Sequence, residues 1–178
     1  FKHSMMTLDL ARPGVAAQAV GTATGALELA VTYAGRRKQF GQPIASFQMI
    51  QAMLADMAQQ TEAARWLVYA CAAKADAGAK NVTKIAAMAK CFATDVAVKV
   101  ATDAVQVFGG YGFMEDYPIA KYYRDAKILQ IYEGTNQVQR MVIARNLIKE
   151  SSRHDYLNSV IPTETQESYG AEPVTANT

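Results

Sequence analysis

The segment around Glu133 contains residues that could carry out acid–base chemistry. Glu133 lies between Tyr132 and Gly134, directly before a predicted helix that begins near Thr135. A carboxylate on a defined loop can act as a general base, and shielding from water raises the pKa of a carboxylate and makes it a stronger base. The positive end of a following helix has the opposite effect. A glutamate at a helix terminus is also common for structural reasons alone.

Two other segments contain residue types that bind phosphate groups. Arg37 lies in the basic run Arg36-Arg37-Lys38, and its forked guanidinium suits a diphosphate, although such a run is usually a solvated surface. Gly109 and Gly110 would let the backbone approach a ligand closely, or would simply end a helix. Neither segment by itself decides between binding and structure.

Hydrophobic periodicity predicts the helices that position these segments. Apolar residues recur at three- and four-residue spacing, and Phe92 falls on the apolar stripe of the third helix. Pro13 suits the first turn of the first helix, while Ser46 and Asn81 are candidate N-caps of the second and third. Long helices with short connections predict an all-α fold, an up-and-down four-helix bundle. The predicted helices are residues 13–34, 47–76, 82–108, 119–128 and 135–148.

Composition and charge exclude several classes of protein. Hydrophobic residues make up 51% of the 178 residues, so the chain is not disordered as a whole. The net charge of +2 and the lack of a long basic run predict no nucleic-acid partner. No apolar stretch reaches the roughly 18 residues that span a bilayer, so we expect no membrane segment. Cys71 and Cys91 lack metal-site spacing and are expected to be buried thiols, and His3 and His154 surface residues, so no metal is predicted.

Three segments together resemble the acyl-CoA dehydrogenase family in order and spacing: LDLARPG at 8–14, RKQFGQPIASFQ at 37–48, and the stretch 104–140 that includes IYEGTNQVQR. The resemblance covers about residues 1–150 and implies that they correspond to the family's C-terminal helical-bundle domain. The N-terminal helical domain and the middle β-domain have no counterpart in this chain. Residues 151–178 lose the hydrophobic period and are predicted to form a polar tail.

The resemblance implies FAD-dependent α,β-dehydrogenation of an acyl-CoA thioester. A carboxylate takes the α-proton, and the β-hydrogen leaves as hydride to the flavin. Glu133 matches this catalytic base, and its backbone N–H would also bind the thioester carbonyl. Some family members carry the base on the first helix, where this chain has Ala11. The resemblance further assigns substrate-binding roles to Asp9, Arg12 and Gly134. It assigns FAD-binding roles to Arg37, Phe40, Gln48, Gln106, Val107, Phe108, Gly109, Gly110, Thr135, Asn136 and Gln137.

The resemblance also implies partners and a location. The substrate would be an acyl-CoA, the assembly a homotetramer built as a dimer of dimers, and the electron acceptor an electron-transfer flavoprotein. Arg37 would reach FAD across the dimer interface. A bacterial cytoplasm or a mitochondrial matrix is the expected compartment. Two alternatives stay open: a non-catalytic helical module for oligomerisation or partner binding, and an acyl-CoA oxidase that uses the same base.

Overall fold

The computed structural model describes residues 2–79 and 81–151, with side chains from Ala11 onward. Within these residues the chain forms five α-helices and one short hairpin, which confirms the all-α prediction. The predicted tail lies outside the described residues from position 152 onward. The elements are α1 (Lys2–Arg36), β1 (Lys38–Gln39), β2 (Gln42–Pro43), α2 (Gln48–Asp76), α3 (Thr83–Phe108), α4 (Ile119–Leu129) and α5 (Asn136–Ser151), with 3-10 turns at Ile44–Ser46 and Gly109–Phe113.

Helix α3 is the centre of the bundle and packs against α1, α2 and α4. Small side chains make the close approach of α1 and α3 possible, because both helices present alanines to the core. Short connections join α1 to α2 and α2 to α3, so consecutive long helices run up and down as predicted. The buried alanines are Ala16, Ala19, Ala23, Ala26, Ala30 and Ala34 on α1, and Ala86, Ala87, Ala89, Ala93, Ala97, Ala101 and Ala104 on α3.

The chain divides into two compact units. The bundle lies in the first unit, which ends at Ile143. The second unit begins at Ala144, and its described residues are the last turns of α5. Among the described residues, no helix is long and apolar enough to cross a membrane.

Three predictions about helix starts are wrong, although the predicted helices 47–76 and 82–108 begin within one residue of α2 and α3. Pro13 lies inside α1, because a missing N–H leaves only one carbonyl of the helix unbonded and does not by itself end the helix. Ser46 belongs to a 3-10 turn, and Phe47, which packs against the core, takes the N-cap position of α2. Asn81 precedes the N-cap Val82 of α3 and supplies no cap.

One predicted core residue is also wrong. Phe92 is 41% exposed, because α3 is covered by neighbours on three sides and keeps a single solvent-facing strip. Residues three and four apart along a helix share a face, so Met88 lies on the same strip. The predicted buried thiols are confirmed, since Cys71 and Cys91 are free and buried.

Candidate active site

Glu133 lies in a tight turn between α4 and α5. The backbone N–H of Asn136 donates to the carbonyl of Gln130 at 3.0 Å and closes this turn. Glu133 has a φ of 54° and Gly134 a φ of 89°, so both residues are left-handed. This conformation costs a residue with a side chain about 1–2 kcal/mol. The surrounding structure must therefore hold Glu133 in place.

Two fully buried side chains donate hydrogen bonds to the carbonyls of this turn. Gln139 Nε2 donates to the carbonyls of Glu133 at 3.2 Å and Gly134 at 3.0 Å. Lys90 Nζ, on α3, donates to the Gly134 carbonyl at 2.9 Å. A Cβ atom at position 134 would lie 2.6 Å from Gln139 Nε2, so the support also requires glycine there.

Asn136 joins the turn to α3 through its buried side-chain amide. Its Nδ2 donates to Thr94 Oγ1 at 2.8 Å and to Asp95 Oδ1 at 2.7 Å, and its Oδ1 accepts from Lys90 Nζ at 2.9 Å. Thr135 Oγ1 accepts from the backbone N–H of Val138 at 3.3 Å, which confirms Thr135 as the N-cap of α5. The amide of Asn136 therefore holds the turn, and its predicted contact with FAD stays a prediction.

The carboxylate of Glu133 has one enclosed oxygen, Oε2, that meets no hydrogen-bond partner among the described residues. Buried polar atoms of this kind are uncommon and need an explanation. Lys90 lies close enough to interact electrostatically with this carboxylate, and it also interacts with Arg12 of α1, which is 2% exposed. Burial lowers the pKa of Lys90, and so does the charge of Arg12, whereas the Glu133 carboxylate is among the groups that raise it. Lys90 therefore interacts with both Arg12 and Glu133.

Tyr132 completes the wall of the turn. Its hydroxyl donates to Gln18 Oε1 on α1 at 2.5 Å. Burial raises the pKa of the Tyr132 phenol, and the charge of Glu133 raises it further. The phenol therefore stays protonated at neutral pH and remains a hydrogen-bond donor.

Arg37 lines a cavity of about 590 Å³ where α1 meets the end of α3. Its guanidinium carbon lies 5.2 Å from the ring centroid of Tyr111. The backbone at Gly109, with a φ of 62°, faces open space, since no atom lies within 4 Å of a Cβ built there. A fixed cation beside an open stretch of backbone suits a phosphate group. Five predicted FAD residues line this cavity together: Arg37, Val107, Phe108, Gly109 and Gly110.

Phe108 and Val107 contribute mainly packing to that cavity. They are 6% and 4% exposed, and the Phe108 ring stacks on Tyr33 with centroids 4.0 Å apart. Their position suggests that they shape the wall, while the neighbouring glycines leave room for a ligand.

The start of α5 lines a second cavity, of about 540 Å³. Predicted FAD residues Thr135, Asn136 and Gln137 lie on its wall. Arg140 Nη2 binds Asp95 Oδ2 at 2.6 Å on the same wall, so the cation and the carboxylate largely neutralise each other.

Three predicted FAD residues line neither cavity. Phe40 lies at the hairpin tip with a φ of 51° and is 92% exposed. Gln48, the first residue of α2, and Gln106 are exposed as well. The side chain of Asp9 lies outside the described part. All four assignments stay predictions.

The sequence reasoning missed Lys90 and Gln139, the two residues that hold the Glu133 turn. A signal for Lys90 was present, because Lys90 and Thr94 are polar residues four positions apart in the alanine-rich part of the helix, between Ala86 and Ala97. Such a pair on a buried face indicates a polar partner on a neighbouring element. Gln139 gave no comparable signal, since a glutamine in the first turns of a polar helix is ordinary.

Comparison with known proteins identifies the family. Residues 1–148 match the family described as "Acyl-CoA dehydrogenase, C-terminal domain". A probable acyl-CoA dehydrogenase of Mycobacterium leprae is 56% identical over 149 residues, which are 84% of this chain and 38% of that protein. Cyclohexane-1-carbonyl-CoA dehydrogenase of Geobacter metallireducens is 51% identical over 152 residues, 85% of this chain and 40% of that protein.

A solved structure supports the same assignment. Butyryl-CoA dehydrogenase of Megasphaera elsdenii superposes with a TM-score of 0.81 at 56% identity, over 83% of this chain and 38% of the other. This chain therefore spans about two fifths of the length of the relatives that it matches. On the family match, the fold and the identity with these relatives, the chain belongs to the acyl-CoA dehydrogenase family, and residues 1–148 correspond to its C-terminal domain.

Proposed function

We propose that this chain is the C-terminal domain of an FAD-dependent acyl-CoA dehydrogenase in which Glu133 removes the α-proton of the thioester. The observation that carries the proposal is the Glu133 turn: a strained, left-handed residue whose enclosed carboxylate oxygen has no partner among the described residues. Strain and unpaired buried polar atoms are retained where function requires them. The N-terminal helical and middle β-domains would lie elsewhere in the enzyme, and residues 151–178 would form a polar tail.

The surrounding residues suit a carboxylate that accepts a proton from carbon. The reaction requires the ionised form of Glu133, and the buried Lys90 is a cation with which this carboxylate interacts. Enclosure of Oε2 keeps water from competing for the carboxylate. When the proton has moved to Glu133, the carboxyl is neutral and the thioester carries enolate charge. The backbone N–H of Glu133 would stabilise that charge, with Gly134 beside it at the substrate.

The first cavity fits FAD binding. Arg37 would bind the diphosphate, and the open backbone at Gly109 and Gly110 would let the cofactor approach closely. FAD, when bound, supplies the acceptor for the β-hydride. The exposed predicted residues Phe40, Gln48 and Gln106, and Thr135 and Gln137 at the second cavity, would complete the contacts with cofactor bound between domains or subunits.

The names of the relatives give different acyl groups. One acts on butyryl-CoA and another on cyclohexane-1-carbonyl-CoA by name, although both are more than 50% identical to this chain. A homotetramer and an electron-transfer flavoprotein as acceptor are proposed with the activity. The relatives compared are bacterial proteins, which supports a bacterial cytoplasm as the compartment.

Replacing Glu133 with glutamine tests the proposed base. In the full-length enzyme, Glu133→Gln should abolish turnover of acyl-CoA with a dye acceptor, because an amide cannot accept the α-proton, while flavin absorbance stays unchanged. Glu115→Gln is the matched control, since the Glu115 side chain is 88% exposed and pairs only at 3.8 Å with Arg124. Turnover by Glu133→Gln within a few-fold of that control would refute the assignment.

A further inference from the structure

A buried lysine donates a hydrogen bond to the turn that carries the proposed base. Lys90 is 0% exposed in the middle of an apolar bundle. Its ammonium donates to two neutral oxygens, the Gly134 carbonyl and Asn136 Oδ1, both at 2.9 Å. A buried ammonium is costly, and a packed apolar side chain of similar size is often equally stable. Retention of a lysine here therefore needs a reason beyond packing.

The geometry of the turn supplies one reason. The Gly134 carbonyl belongs to the peptide that joins Gly134 to Thr135, so its direction depends on the backbone dihedrals of Gly134, the second residue of the left-handed pair. Lys90 holds this carbonyl and, through Asn136, the first residue of α5. The two bonds fix both ends of the three-residue segment that follows the proposed base.

The interaction of Lys90 with Glu133 supplies a second reason. Burial lowers the pKa of Lys90, and the charge of the Glu133 carboxylate is among the influences that raise it. Lys90 is therefore linked to Glu133 by charge as well as through the Gly134 carbonyl. The other titratable groups that face this pair are Arg12 from α1, Cys91 and Asp95 from α3, and Tyr132 from the turn itself.

We propose that Lys90 is a positioning residue for the reaction. It clamps the Gly134 carbonyl and the Asn136 amide so that Glu133 keeps its orientation. This inference rests on the proposed role of Glu133 as the base. It assigns Lys90 no contact with substrate or cofactor.

Lys90→Met in the full-length enzyme separates this role from ordinary packing. Methionine has a similar length but neither charge nor donor. We expect kcat to fall about 100-fold, as for a small displacement of a catalytic group, with KM changing much less. Lys99→Met is the matched control on the same helix, since the Lys99 side chain is 52% exposed.

Two further variants return a hydrogen-bond donor to position 90. Lys90→Gln has a shorter side chain with an amide donor, and Lys90→Arg has a larger one with a guanidinium, so each should recover only part of the kcat that Lys90→Met loses. If Lys90→Met does not fold, these two variants decide the question. A wild-type kcat in Lys90→Gln, with only a lower melting temperature, would overturn the proposal.

A double-mutant cycle tests the coupling without measuring activity. Melting temperatures of Lys90→Gln, Glu133→Gln and the double variant should be non-additive, with Lys90→Gln costing less when the carboxylate is already gone. Additive losses would show that Lys90 and Glu133 do not interact, and would overturn the inferred coupling between them. If the wild-type enzyme turned over no acyl-CoA but the cycle were non-additive, the proposed function would fail and the pairing of Lys90 with Glu133 would stand.

Discussion

Gly134→Ala should destabilise the protein through a specific pair of contacts. The new Cβ would lie 2.6 Å from Gln139 Nε2, the atom that donates to the Glu133 and Gly134 carbonyls. A φ of 89° costs an alanine about 1–2 kcal/mol. Displacing Gln139 weakens two hydrogen bonds, at about 0.5–1 kcal/mol each. The expected loss is therefore about 2–4 kcal/mol.

Two other glycines provide the controls for this value. Gly78 has a φ of 68° and open space where a Cβ would be, so Gly78→Ala should cost only the backbone strain of about 1–2 kcal/mol. Gly21 lies in the middle of α1, also with open space, and Gly21→Ala should stabilise the helix by up to about 1 kcal/mol.

Scanning calorimetry of the three full-length variants checks the order. In a domain of this size about 3 kcal/mol corresponds to a fall of about 6–12 °C in Tm. Gly134→Ala should therefore melt several degrees below Gly78→Ala, and Gly21→Ala at or above the wild type. Equal losses for Gly134→Ala and Gly78→Ala would refute the role given to Gln139.

Two more predictions concern the cofactor and alkaline pH. Arg37→Met should weaken FAD retention about 10- to 100-fold, the value of a charge-assisted contact, whereas Arg36→Met, on the exposed neighbour, should not; flavin content after dilution and gel filtration measures the difference, and equal retention contradicts it. Burial raises the pKa of the Cys71 thiol above its ordinary 9.0, so its contribution to stability is present below pH 9 and is lost as the pH rises through the raised pKa. Cys71→Ala should therefore reduce the fall in Tm between about pH 8 and pH 10, and an unchanged fall would show that this thiol is not responsible.

The sequence predicted the helices well because their signal is local. The apolar stripe of α2, from Met57 to Cys71, is buried as the periodicity indicates, and the stop at Gly78 matches its left-handed φ. The start of α1 was missed, and the capping roles predicted for Ser46 and Asn81 were wrong, since Phe47 and Val82 take the N-cap positions without a side-chain hydrogen bond. Hydrophobic periodicity also placed Phe92 in the core, because the pattern does not show which side of a helix lacks a neighbouring helix.

The candidate site was also predicted only in part from the sequence. The motif around Glu133 identified the turn, and the structure adds an enclosed, unpaired carboxylate oxygen there. The cavity beside Arg37 brings together residues about 70 positions apart in the sequence. Only the packing of the bundle places these residues side by side. Lys90 and Gln139 could not be assigned from the sequence, because their role depends on contacts between α3, the turn and α5.

Exchange of the α-proton tests the central claim most directly. An acyl-CoA that the enzyme oxidises is incubated with the full-length protein in D₂O without an electron acceptor, and mass spectrometry then measures deuterium at the α-carbon. The wild type should incorporate deuterium, whereas Glu133→Gln, with FAD still bound, should incorporate none above the rate without enzyme. Incorporation by Glu133→Gln at the wild-type rate would show that another group removes the proton.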